Sequence, residues 1–366
     1  MKAYVNSPRL RSLGDQSHLK YLLSLILPCC VLWFLSTGPH NVTEALLWTT
    51  PLWLLIVLDW LSPKINSEIE TQVVSSRFYD TILYVLAGLQ LLIIYLLLVY
   101  ANQLQWNSTQ EIVTSVVNLV ILRILVGTTS GSSALIVAHE FIHRPSRFQR
   151  ILGRLLLYTV CYEHFVIAHI RGHHYSVATP ADVATAHIDE SYQSYWKRVY
   201  PGHFKYAWNS ELKRLGLTQA PVYHYKMLSN SVLQGLIIEC TLLTVILVEF
   251  GWAAAFIFLY QALAGIRLLE AINYYQHWGL DQKRTGNTLA WVNQSCISKY
   301  ALIGLSHHIG HHQNAGASYQ QIPYLEHGPI MPYGYFVTNL WVKLNNESYR
   351  RVSSDILANY CNSPGD

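Results

Sequence analysis

The chain has 366 residues, 51% of them hydrophobic and only 13% charged, with a net charge of +4 and a mean hydropathy of +0.21. Soluble domains carry about a quarter charged residues, so an ordinary soluble protein is excluded as the starting assumption and a membrane protein replaces it. The basic residues are interleaved with apolar runs and form no tracts, which argues against nucleic acid as a partner. The 25 Tyr and 11 Trp suit a chain that meets the membrane–water boundary.

Residues 1–20 are polar and basic, and an apolar run follows over 21–37. No small-x-small cleavage site comes after it and further apolar runs do, so an uncleaved first span is expected. Five more runs reach or approach the roughly 20 residues that a crossing needs: 44–61, 78–101, 112–138, 231–250 and 252–271. Little more than Gly251 separates the last two, which predicts a tight helical hairpin or a re-entrant pair. The loops at 38–43, 102–111 and Gly251 hold no Lys or Arg, whereas the opposite side carries Lys64, Arg77, Arg144, Arg147, Arg150, Arg154, Arg171, Lys283 and Arg284. The positive-inside rule then makes both termini and the opposite side cytoplasmic. Residues 152–168 are apolar but short, and are expected to form an interfacial or re-entrant helix. No linker divides the chain. The fold expected is therefore all-α: one domain over 1–366, a bundle of six transmembrane helices capped on its cytoplasmic face by 144–227 and 273–366.

The six cysteines, Cys29, Cys30, Cys161, Cys240, Cys296 and Cys361, form no C-x-x-C pair and indicate neither a disulfide framework nor a thiolate site. Of the 17 histidines, nine stand in four groups: His139 and His143; His169, His173 and His174; His277 alone; and His308, His311 and His312. Each group lies at or near the cytoplasmic end of a predicted span. Nine imidazoles exceed what one ion takes, so two metal ions are implied. Neutral imidazole suits zinc, copper, iron and nickel. Burying so many titratable groups together without a metal would carry a heavy desolvation cost.

His139-Glu140-Phe141-Ile142-His143 on its own has the H-E-x-x-H spacing of a zinc protease, in which Glu140 would be the general base. A zinc site of that kind needs only one further ligand and leaves six histidines without a purpose. Two other roles for Glu140 remain open, support of a ligand imidazole through hydrogen bonding or a solvated helix position. Asp182, Glu190 and Glu270 are further candidates for such support, and Asn273 lies four residues before His277. His18, His40, His187, His203, His224 and His327 read as ordinary structural histidines. The series Arg144, Arg147, Arg150, Arg154 reads either as a stripe facing lipid headgroups or as a docking surface for an acidic electron carrier.

Four boxes in order carry a resemblance: His139-Glu-Phe-Ile-His143; His169-Ile-Arg-Gly-His173-His174; Asn273-Tyr-Tyr-Gln-His277-Trp-Gly279; and Leu305-Ser-His-His308-Ile-Gly-His311-His312. From about the third span to Tyr335 the chain resembles the integral-membrane di-iron family of fatty acid desaturases and alkane hydroxylases. It is most similar to the alkane hydroxylase branch, which includes xylene-type monooxygenases. The resemblance implies that the nine boxed histidines bind two non-haem irons and that Glu140, Asp182, Glu270 and Asn273 are candidates for the surrounding shell. It also implies an oxygen-dependent hydroxylase of an unactivated C–H bond, above all the terminal methyl of n-alkanes. Electrons would come from a rubredoxin or ferredoxin with its reductase. Such an enzyme would sit in a bacterial inner membrane, taking its apolar substrate from the bilayer. No rubredoxin-like cysteine pairs occur here, so a separate donor is expected. His164 and His307 lie beside the boxes but off the family spacing, and are not expected to be ligands. The chain departs from the alkane hydroxylases at Ala168 and Gln276, where those commonly carry Glu, and at His307, where they often carry Arg. The alternatives are a fatty-acyl desaturase or fatty-acid hydroxylase or decarboxylase of the same family, an intramembrane zinc metalloprotease, and a non-catalytic metal-binding membrane protein.

Overall fold

A computed structural model describes residues 17–65, 75–221 and 223–362. Among these residues no strand forms, only two isolated bridges, Lys64 with Ser295 and Val292 with Ile330. Five helices are long and apolar enough to cross a membrane: α1 (His18–Thr37), α2 (Val42–Trp60), α3 (Ser76–Asn102), α4 (Thr109–Ile142) and a 47-residue element, Ser231–His277, designated α7 below. Between α4 and that element lie α5 (Arg147–Tyr158) and α6 (Tyr192–Leu215). After it come α8 (His308–Gln313), α9 (Tyr335–Leu344) and α10 (Asn346–Asn362).

The ends of these helices follow local chemistry. Asn41 with Glu44 opens α2, and Ser108 with Glu111 opens α4; in each pair the two side chains satisfy each other's free backbone N–H groups. Gly216, in the left-handed conformation, closes α6. The predicted pair 231–250 and 252–271 is the two arms of α7. Gly251 interrupts the helical backbone between them with φ 83° and ψ −179°, a combination open to glycine and strained for other residues. The Glu163 N–H donates to Glu239 Oε1 at 3.2 Å, and Gln261 Nε2 donates to the Thr159 carbonyl at 3.0 Å. In a straight helix Glu239 and Gln261 would stand about 33 Å apart, yet both meet the five-residue stretch Thr159–Glu163. The chain therefore doubles back at Gly251, and the second arm continues past 271 to His277.

Polar side chains tie α3, α4 and α7 together inside the bundle. Gln90 bonds Ser130 and Ser133, Ser130 donates to Gln261 at 2.7 Å, and Gln261 reaches the Thr159 carbonyl, all of these side chains being buried. Small residues Gly127, Gly131 and Gly265 let α4 and the second arm of α7 approach closely. Within α4, residues Ser130–Leu135 take the wider π-helical turn. This changes the phase of the last two turns, which carry His139 and His143.

The segment 152–168 is not a span. α5 ends at Tyr158 and a series of turns follows, while Phe148, Ile151 and Leu155 project outward from α5, consistent with an interfacial helix. The arginine series is not one continuous stripe. Arg144 is enclosed against Glu140 and Asp80, Arg154 binds Glu163, and Arg150 donates to the carbonyls of Arg144 and Pro145.

Candidate metal centre

The four histidine boxes arrive on different elements at one end of the bundle. His139 lies on the last turn of α4 and His143 caps it; His277 ends the second arm of α7; His308, His311 and His312 lie on α8. The second box occupies a π-helical turn, Ala168–His173, whose i→i+5 closure sets Nε2 of His169 3.0 Å from Nε2 of His174. His173, one residue earlier, consequently points elsewhere.

Two groups result. His139, His143, His169, His174 and His311 form one, and His173, His277, His308 and His312 the other; within each group the ligand nitrogens lie within 4.8 Å of one another. His173 and His174 are thus neighbours in sequence that serve different groups, as are His311 and His312.

The nitrogen spacing identifies what these groups can do. His143–His169, His169–His174 and His174–His311 stand 3.1, 3.0 and 3.2 Å apart at Nε2, and His277–His308 and His308–His312 each 3.1 Å. A ring nitrogen has a single in-plane lobe and makes one good hydrogen bond, yet Nε2 of His169, His174 and His308 each faces two others. Such lobes converge on shared centres. An imidazole binds a first-row metal at about 2.0–2.1 Å, which places nitrogens at right angles about 3 Å apart, the spacing seen here. Nε2 of His139 and of His173 are buried with no hydrogen-bond partner, open donors beside their respective groups. The residues therefore fit a metal in each group.

Protonation favours the same use. Burial, then the charges of neighbouring imidazoles, pushes His143 down to about 4 and His174 to about 3, and holds His311 and His312 well below the ordinary histidine value. These imidazoles are neutral at neutral pH, as ligation requires.

Of the candidate residues around the groups, Asp182 bonds a boxed histidine directly and the others take different partners. Asp182 Oδ2 lies 2.9 Å from His173 Nδ1, takes a further bond from Thr185, and so turns Nε2 of His173 inward. Burial raises the Asp182 carboxyl, but His173 and the Thr185 bond more than offset it, and the group stays ionised. His277 Nδ1 is oriented by the Leu289 carbonyl at 3.0 Å. Glu140 instead pairs with Arg144 at 2.7 Å and accepts from the Tyr319 N–H at 3.1 Å, while Arg144 also reaches Ser318. Its bonds anchor the segment after α8 to α4. Glu270 and Asn273 bond each other at 3.2 Å in a buried network with Tyr162, Tyr195 and His203, set behind the histidines. Glu190 is held by Arg198. His164 and His307 belong to neither group. Gln276 donates to the Tyr335 hydroxyl at 2.7 Å.

Sequence reasoning missed Arg144 as the partner of Glu140 and His203 as part of the Glu270 network. The i, i+4 spacing of Glu140 and Arg144 was the available signal for the first; a lone histidine in α6 gave none for the second. A narrow cavity bordered by Ile136, Ile303, Leu305 and Ile322 abuts His139, His308 and His311, so it touches both groups.

An all-α membrane protein with two converging imidazole clusters at one end defines a class of histidine-rich membrane proteins. Comparison with known sequences narrows that class, because a family model described as fatty acid desaturase matches residues 114–340. The chain belongs to the fatty acid desaturase family. It is similar to alkane 1-monooxygenase 1 of Pseudomonas aeruginosa, 34% identical over 217 residues, covering 57% of this chain and 56% of that protein. It is also similar to alkane 1-monooxygenase 2 of Alcanivorax borkumensis, 26% identical over 312 residues, covering 80% and 79%. A third relative, the xylene/toluene monooxygenase hydroxylase component XylM of Pseudomonas putida, is 25% identical over 285 residues, covering 76% and 73%. The chain thus spans little more than half the length of the first of these relatives.

Proposed function

We propose that this chain is a membrane non-haem di-iron monooxygenase that hydroxylates an unactivated C–H bond of an apolar substrate, the terminal methyl of an n-alkane first among them. The observation that carries the reading is the convergence of nine imidazoles into groups of five and four, with a small cavity of mixed apolar and polar lining against both. Relatives named alkane 1-monooxygenases support the substrate class. Iron held by the two groups supplies oxygen activation and oxidation of the C–H bond. An intramembrane zinc protease would leave most of these imidazoles idle.

The chain's own residues do the rest. Neutral imidazoles present nine nitrogens without adding anionic charge, which favours a strongly oxidising centre. Lining the cavity, Ile136, Ile303, Leu305 and Ile322 set apolar side chains beside the histidines, next to Glu140 and Tyr319. Arg144, pinning Glu140 and Ser318, fixes the loop that closes this cavity. The substrate enters from the bilayer, electrons arrive from a separate rubredoxin or ferredoxin, and the enzyme sits in a bacterial inner membrane; the lysine and arginine distribution supports a cytoplasmic histidine end.

Asp182→Ala frees the His173 ring to rotate, so iron affinity falls about 10–100-fold, as is typical for loss of such a carboxylate. Chelator competition on the purified protein measures this; unchanged affinity would remove Asp182 from the site. The function itself is tested by feeding n-alkanes, toluene and fatty acids in parallel to cells expressing the chain with a redox partner. Mass spectrometry should find terminal alcohols that form only with oxygen. An alkene from a fatty acid would point to the desaturase alternative, and no oxygen-dependent product from any of the three would end the proposal.

A further inference from the structure

Behind the five-histidine group a file of stacked rings leads outward. The His169 ring lies on Phe165, with centroids 4.9 Å apart and planes 18° from parallel. Phe165 stacks on Tyr162 at 5.5 Å and 21°, and Tyr162 on Tyr200 of α6 at 6.2 Å and 13°. His169, Phe165 and Tyr162 are buried, whereas Tyr200 reaches the surface with 39% of its area exposed. Stacked rings are ordinary core packing. What sets this file apart is the polar surroundings of Tyr162.

The Tyr162 hydroxyl donates to Glu270 Oε1 at 2.9 Å and lies 2.9 Å from His203 Nδ1. Its one proton is committed to Glu270, so His203 Nδ1–H donates to the phenol oxygen. Asn273 Nδ2 holds the other carboxylate oxygen at 3.2 Å, and all four side chains are buried. Cys161, just before Tyr162, takes the left-handed conformation with φ 50°, which costs energy in any residue but glycine and marks a turn worth holding for a purpose. A phenol is among the side chains most readily oxidised, provided that its proton can leave with the electron. Here a carboxylate stands one hydrogen bond away. A phenylalanine ring has no such proton and acts only as a bridge.

We propose that Tyr162 is a redox-active tyrosine that, with Tyr200, carries oxidising equivalents away from the five-histidine group when no substrate is there to accept them. The proposal rests on the di-iron reading, with oxidised iron as the one-electron oxidant. An electron passes from Tyr162 across Phe165 and His169, leaving the iron reduced by one electron, while the phenol proton crosses to Glu270. Tyr162 is then a neutral radical and Glu270 a neutral acid. Tyr200 next gives Tyr162 an electron, Glu270 returns the proton to it, and Tyr200 releases its own phenol proton at the surface. A one-electron reductant there, such as ascorbate or a thiol, together with a proton restores Tyr200. Trp196 stacks on Tyr200 at 5.0 Å, but the Arg267 guanidinium 5.3 Å from its ring opposes positive charge on the indole, so the route ends at Tyr200.

The test uses the iron-loaded full chain, reduced, mixed with oxygen in the absence of substrate and freeze-quenched for electron paramagnetic resonance. Iron content and oxygen uptake are measured on the same samples. Wild type should give a tyrosyl signal that narrows when its tyrosines carry deuterium. Tyr162→Phe, which keeps the stack, should load as much iron yet lose most of that signal. Mass spectrometry should also find its boxed histidines oxidised several-fold faster. Tyr200→Phe should trap the radical on Tyr162 and lengthen the lifetime of the signal several-fold. A wild type that holds iron and consumes oxygen without a tyrosyl signal would overturn the route and leave the di-iron reading standing. So would an undiminished signal or unchanged histidine oxidation in Tyr162→Phe, or an unchanged lifetime in Tyr200→Phe. A wild type that takes up no iron or consumes no oxygen would overturn both.

Discussion

If the proposed di-iron reading holds, replacing His308 by alanine should take the iron content of the purified protein from two per chain toward one and lower alkane oxidation by at least about 100-fold. Nε2 of His308 is the hub of the four-histidine group, 3.1 Å from those of both His277 and His312. Removing it leaves three donors where four converge, in a group with no spare imidazole. His174→Ala, in the five-histidine group, leaves four donors, and the iron there should be retained better, with activity still strongly reduced. Iron quantified against protein, together with oxygen-dependent product formation, measures both effects. Equal iron loss in the two variants would mean that the groups do not load separately.

The second large effect concerns the cap. The Asp59 carboxylate, buried near the end of α2, accepts from Ser295 and Ser298 hydroxyls at 2.6 and 2.7 Å and from the N–H groups of Phe336 and Val337 at 3.0 and 3.2 Å. It thereby pins the start of α9 and the segment before α8 to a membrane helix. Asp59→Ala would leave two buried hydroxyls and two half-buried N–H groups without this acceptor, at about 1–3 kcal/mol for each buried donor before relaxation, so a net loss of about 2–4 kcal/mol is expected. Gly334→Ala should act similarly, because a Cβ there would collide with the Asp59 carboxylate. Thermal unfolding in detergent should show both variants far below wild type. Proteolysis should cut first in the segment after 290. A midpoint unchanged in Asp59→Ala would show that the cap is held elsewhere.

Much of the fold was legible because a bilayer leaves the chain few choices. Apolar runs of the right length placed α1 to α4 to within a few residues, and Gly251 marked the reversal in α7 because only glycine turns there without strain. The nine histidines stood out for the same kind of reason, since four boxes with fixed spacing are hard to produce by chance. Their division into five and four was not legible. It depends in part on the π-helical turn at Ala168–His173, which sets His169 against His174, and no residue pattern signals where such a turn falls. The surrounding carboxylates were read by type and proximity in sequence, which do not say which of several neighbours each one pairs with. Asp182 meets a histidine nine residues away, while Glu140 is drawn off by Arg144 and the Tyr319 backbone. Asp59, central to the cap, gave no signal at all, because its partners lie more than 230 residues further along the chain.

The most direct test is anomalous X-ray diffraction from crystals of the iron-loaded chain, collected at the iron and zinc absorption edges. Two iron peaks are predicted, one enclosed by His139, His143, His169, His174 and His311 and the other by His173, His277, His308 and His312. A single peak, or signal at the zinc edge alone, would contradict the di-iron assignment.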